Sequence, residues 1–157
     1  MTDDLDQAGL GAWEAFVFAH AAAVGRIERD LRAAGHIPLT WYDVLAALSE
    51  AAGGRLRLSE LADQVVLSRS GLTRLLDRVE AAGLIRRERS ADDRRGAYAV
   101  MTAEGERALL AAWPDYARGI ATHFADRLTA DEKRVLAAAL GKVRAATGDL
   151  DATVGEG

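Results

Sequence analysis

Between Ser59 and Arg95 the chain carries short polar and basic side chains whose spacing suits contact with a polyanion. Ser68, Arg69, Ser70, Thr73, Arg74 and Arg78 lie away from the apolar positions Leu72, Leu75, Leu76 and Val79 of one helical repeat. Hydroxyls reach phosphates or base edges at short range, and arginine binds guanine bidentately in the major groove. Ser59 stands one turn signal earlier, before Leu61, Ala62 and Val65. A second basic group follows at Arg89, Arg94 and Arg95, interleaved with Asp92 and Asp93. A guanidinium suits the narrow minor groove, where the potential is most negative. Asp93 is placed to hold Arg94 or Arg95 through a carboxylate contact.

Other chemistries find no support. The chain has no cysteine, which excludes disulfides and thiolate sites. His20, His36 and His123 lack metal-ligand spacing. No nucleophile elbow, phosphate loop or paired-carboxylate pattern points to an enzyme. The expectation is therefore a binding protein without metal or cofactor.

Three elements must hold these side chains in place. Ser59 can cap a short helix, and Ser68 can cap the helix that carries Thr73, Arg74 and Arg78 and stops at Gly83. Residues 84–89 and 96–101 alternate like the strands of a hairpin with 90–95 as its tip. Arg55-Leu56-Arg57-Leu58 alternates as a further short strand does. Any one of these helices alone equals an amphipathic surface helix with a solvated basic face. Two short helices and a basic hairpin in this order instead spell a winged helix-turn-helix.

The net charge of the 157-residue chain is −4, which is unpromising for a nucleic-acid binder until it is divided. From Arg55 to Arg95 there are 10 Arg against 7 Asp or Glu, whereas the remainder holds 10 Lys or Arg against 17 acids. Phosphate attraction is local and is screened beyond about 8 Å at physiological salt. A local balance of +3 thus permits DNA contact.

The flanks read as helices. Leu10, Trp13, Val17, His20, Val24, Ile27 and Leu31 form one stripe on a helix of about six turns, closed by Gly35 and Pro38. So long a stripe calls for a partner helix, most naturally from a second subunit. Thr40 caps a second helix to Leu48, with Asp43 at its third position. After Thr102, a good cap, Leu109, Trp113, Tyr116, Ile120 and Phe124 keep helical spacing, and Pro114 should kink or restart that helix. Thr129-Ala130-Asp131-Glu132 is a capping box for a last helix with Val135, Leu136, Ala139, Leu140 and Val143 on one face, which Gly148 should end. The tail to Gly157 is expected to be disordered. Met1-Thr2-Asp3-Asp4 is unlike a signal peptide, and no apolar run is expected to span a bilayer, so a cytoplasmic protein without membrane partners is the expectation.

With these elements in order, the chain resembles the MarR family of transcriptional regulators over nearly its whole length. The most specific match is the wing pattern Asp93-Arg94-Arg95-Gly96-Ala97-Tyr98-Ala99-Val100-Met101-Thr102, where Met101 replaces the usual leucine. Residues 68–78 also look like the family's recognition helix. The resemblance implies a mainly α fold with a small β-hairpin wing. It implies a DNA-binding region at about 39–102, dimerisation helices at about 5–36 and 103–147, and a tail at 148–157. It further implies a homodimer on a pseudo-palindromic operator of double-stranded DNA, with Arg95 in the minor groove and Asp93 positioning it. Such proteins are mostly repressors released by a small aromatic or anionic molecule. Trp13, His20, Trp41, Tyr42 and Trp113, with Tyr116, are candidate linings for that effector's pocket, though rings at helical spacing are more often core or interface. The acids mixed among the arginines leave a dimeric protein-interaction module as the alternative.

Overall fold

A computed structural model of the chain describes residues 5–65, 69–89 and 96–153, without the side-chain surroundings of 69–70 and 147–153. Helix α1 (Gln7–Ala33) leads to α2 (Leu39–Glu50), a short strand β1 (Arg55–Arg57) and α3 (Leu58–Gln64). Then come α4 (Arg69–Ala81), β2 (Ile85–Arg89), β3 (Ala97–Met101), α5 (Ala103–His123) and α6 (Ala130–Thr153). The strands form an antiparallel sheet in the order β1-β3-β2, with Arg57 opposite Tyr98 and Arg87 opposite Ala99. The mainly helical chain with a small β wing is as expected.

One core joins the elements between α1 and α5. Val44, Leu45 and Leu48 of α2, Leu61 of α3, and Leu72, Leu75, Leu76 and Val79 of α4 are buried together with Ile85 and Ala99 of the sheet. Apolar residues at steps of three and four along α4 turn one face inward, as the sequence spacing requires. Ile27 and Leu31 tie the end of α1 to the same core, alongside Leu109 and Ala112 of α5.

The helix boundaries differ from expectation in four places. Thr40 is inside α2 and does not cap it. Pro38 takes the N-cap position, and the Glu28 carboxylate of α1 accepts from the Leu39 N–H at 2.9 Å. A tertiary carboxylate has replaced the local hydroxyl. Ser59 is likewise within α3, because β1 turns directly into the helix at Arg57, whose N–H donates to Glu60 Oε2 at 2.9 Å. Pro114 lies within an unbroken α5, held on its N-terminal side by buried Leu109 and Ala112 and on the other by Gly119. Gly148 does not end α6, which continues to Thr153. A glycine inside a helix costs only about 1 kcal/mol relative to alanine, so it does not by itself end one.

The expectation about membrane-spanning length also needs amending. By length and composition α1 is able to cross a bilayer, with an 18-residue window of mean hydropathy 1.2. Alanines between the stripe residues raise that mean, and Glu14 is the sole charge of α1 before Arg26. The C-terminal part of the helix is nevertheless bound into the protein core through Ile27 and Leu31.

Candidate nucleic-acid interface

Helix α4 presents two unlike faces. Leu72, Leu75, Leu76 and Val79 are buried, while Thr73, Arg74, Asp77 and Arg78 are exposed. Those four occupy neighbouring positions on the outer side of the helix. Arg69 and Ser70 fall in the first turn of α4, and their side chains lie outside the described residues, as do Ser68, Asp93, Arg94 and Arg95 altogether. Ser59 is exposed in the first turn of α3.

The C-terminal end of α4 is fixed at two points. At Gly83 the backbone takes a positive φ of 76°, which reverses the chain into β2 without the penalty a side chain would carry. The Thr102 N–H then donates to the Leu84 carbonyl at 3.1 Å, and its hydroxyl contacts the Gly83 carbonyl at 2.7 Å while accepting from Gly105 N–H at 3.0 Å. Thr102 thereby caps α5, as expected, and joins that helix to the end of α4. Gly105 packs so closely here that a Cβ would come within 2.1 Å of the Leu84 carbonyl oxygen.

The second point is Arg87 of β2. Its backbone N–H donates to Glu80 Oε1 at 2.8 Å, its Nε to Glu80 Oε2 at 2.7 Å, and its Nη2 to Asp77 Oδ1 at 2.6 Å. Hydrogen bonds from Arg87 hold the Glu80 carboxyl below its ordinary value. At the other sheet edge, the guanidiniums of Arg55 and Arg57 lie 4.1 and 5.2 Å from the Tyr98 ring centroid. Cations over that ring keep positive charge along β1. The sequence shows each of these arginines, but the partners of Arg87 are seven and ten residues away and carry no local signal.

The aromatic candidates form two groups. Trp13, Phe16 and His20 make a run of ring contacts along α1, with centroids 6.3 and 6.1 Å apart. Tyr42 meets Tyr116 at 4.6 Å and Trp113 meets Tyr116 at 6.2 Å, which places this group between α2 and α5. Trp41 is half-buried beside it against the core. Among the described residues no ring pair joins the two groups. A cavity of about 740 Å³ instead opens on the face of α2 turned away from Trp41, lined by Thr40, Asp43, Ala47, Glu50, Leu56 and Arg144 among others. None of Trp13, His20, Trp41, Tyr42 and Trp113 lines it. Desolvation, and then the Glu28 charge, raise the Asp43 carboxyl at its edge.

A pair of short helices, α3 and α4, beside a basic three-stranded antiparallel sheet defines a winged-helix DNA-binding protein. The family model for the MarR family matches residues 37–96. Transcriptional regulator HosA of Escherichia coli is 34% identical over 94 residues, covering 60% of this chain and 67% of that protein. The structure of AbsC, a MarR family transcriptional regulator from Streptomyces coelicolor, superposes with a TM-score of 0.80 at 32% identity and covers 90% of this chain and 95% of that one. Sco3205 from the same organism, a MarR family regulator solved in complex with DNA, gives a TM-score of 0.82 at 28% identity, covering 91% and 89%. The chain belongs to the MarR family of DNA-binding transcriptional regulators, which are not enzymes.

Proposed function

We propose that the protein is a cytoplasmic homodimer whose two reading units bind a pseudo-palindromic DNA operator, and that it acts as a repressor released by a small aromatic or anionic molecule. The observation that carries this reading is α4, with a buried Leu72-Leu75-Leu76-Val79 face and an exposed Thr73-Arg74-Arg78 face beside a basic sheet. In it, Ser59, Ser68, Arg69, Ser70, Thr73, Arg74 and Arg78 serve the major groove and nearby phosphates. Arg94 and Arg95, with Asp93 as holder, serve the minor groove. The region 39–102 is the reading unit, and 5–36 with 103–147 are the dimerisation helices.

Dimerisation is supported by what one chain leaves uncovered. Leu10, Trp13, Phe16, Val17 and Phe18 of α1, Leu110 and Trp113 of α5, and Val135 and Val143 of α6 are exposed. Large apolar side chains left exposed in such number mark an interaction surface, and a two-fold pairing of helices would bury them symmetrically. Two-fold symmetry sets half-sites about 34 Å apart. The effector has two candidate positions, the ring group around Tyr42 and the cavity beside Asp43 and Arg144. Both adjoin α2, between the reading unit and the outer helices.

Gel shifts against the promoter region next to the protein's own gene test the reading. A specific, salt-sensitive complex at submicromolar protein is expected, and Arg95→Ala should weaken it substantially. Weak affinity that is equal across sequences would favour a protein-interaction module instead.

A further inference from the structure

Arg87 looks at first like one more wing arginine available to phosphate, but its hydrogen-bonding capacity is directed elsewhere. It lies on β2, with its side chain about one-third exposed, and reaches back over α4 to Glu80 and Asp77. Asp77 sits between Thr73, Arg74 and Arg78 on the outward face of α4, so its carboxylate is on the surface that would approach DNA. Glu80 is bound by both the backbone and the side chain of Arg87. A planar guanidinium forking between two carboxylates on successive turns fixes distance and rotation together, which a point charge cannot do.

We propose that Arg87 is a positioning residue for DNA reading: it sets the rotation of α4 relative to the wing by clamping Glu80 and Asp77, and it touches no phosphate itself. The inference rests on the proposed reading that α4 and the wing bind one duplex together. Through the clamp, helix α4 and strand β2 move as a single body. The contact from Thr102 and Gly105 to Leu84 then links that body to α5. The hydrogen bonds from Arg87 lower the Glu80 carboxyl from its ordinary value, in keeping with the contact between them.

The clamp and a simple electrostatic role predict opposite signs. Removing an acid near a polyanion tightens binding if charge alone matters. Removing a clamp partner weakens it if orientation matters. The probe is a duplex that the full-length wild-type protein selects from a random-sequence library, with a shuffled duplex as the non-specific control. Glu80→Gln and Asp77→Asn are expected to weaken binding to the selected duplex, about tenfold for Glu80→Gln, while leaving the shuffled duplex as tightly bound or tighter. Arg87→Lys keeps the charge but loses the fork and should fail to rescue. Arg87→Gln should leave the salt dependence of binding unchanged, and combining it with Glu80→Gln should add little to either alone.

Tighter or unchanged binding to the selected duplex by both carboxamide variants overturns the clamp. So does wild-type behaviour of Arg87→Lys. A fall of about 0.9 in the log–log salt slope for Arg87→Gln would make Arg87 a phosphate contact instead. Loss of selected and shuffled binding in equal measure marks general unfolding and also overturns the positioning role. A wild-type protein that selects no sequence at all defeats the DNA-reading proposal itself, which separates that failure from failure of the clamp.

Discussion

The winged region and the helices that flank it treat their apolar residues in opposite ways. In the winged region Leu72, Leu75, Leu76 and Val79 are at most 3% exposed, so its core is closed within a single chain. On the flanks Phe18 is 72% exposed, Val135 69% and Leu110 64%. The winged region closes its core together with Ile27 and Leu31 of α1 and Leu109 and Ala112 of α5, whereas the rest of the outer helices presents apolar side chains that one chain leaves exposed. Stability and assembly should therefore respond to different substitutions.

The largest effect is expected inside the closed region. Leu76 is 1% exposed, and Leu76→Ala should cost about 2–5 kcal/mol through lost burial and the cavity left behind. Thermal unfolding should show this loss at every protein concentration. A loss that vanishes at high concentration would blur the contrast between the regions. On the open side, Phe18→Glu should leave helical content intact but shift the sedimentation coefficient toward a monomer, and melting should lose its concentration dependence. An unchanged oligomeric state would remove Phe18 from the interface.

Gly105 joins the two regions. Because a Cβ there would crowd the Leu84 carbonyl and Leu45 Cδ2, Gly105→Ala should destabilise by about 1–3 kcal/mol and weaken DNA binding by displacing the end of α4. Calorimetry with a parallel gel shift checks both. The smallest effect concerns Asp43. Its carboxyl is raised by desolvation and then by Glu28, so its charged form is disfavoured in the folded state. For an acid raised on folding, the penalty is absent where the group is protonated in both states and is complete above the raised pKa. Asp43→Asn should thus raise the melting temperature slightly at neutral pH and not at pH well below the ordinary aspartate range.

Legibility in the sequence followed the same division. The helix-turn-helix, the hairpin strands and the Thr102 and Thr129 caps were readable because each is signalled within a few residues; Thr129 N–H and Glu132 Oε2 meet at 2.8 Å as the capping box requires. Thr40 and Ser59 do not cap because both helices begin before them: Glu28 of another helix accepts from Leu39 N–H at the start of α2, and β1 runs directly into α3 at Arg57. Pro114 and Gly148 are local breakers that the surrounding helix overrides. That Thr73, Arg74 and Arg78 share the exposed face of α4 was legible from helical phase alone. The Arg87 clamp was not, because its geometry appears only once β2 folds back along α4. The same holds for the His36–Asp115 and His123–Asp30 contacts, at 2.7 and 2.6 Å, which tie the end of α1 and the turn after it to α5.

In the proposed complex two copies of the winged region, joined through their outer helices, engage one duplex. Sedimentation velocity of the full-length protein with a duplex that it selects measures this directly. The expected result is a complex of two chains per duplex, formed by a free protein that is already dimeric and lost steeply as salt rises. One chain per duplex, or a dimer that forms no salt-sensitive complex with any selected sequence, would contradict it.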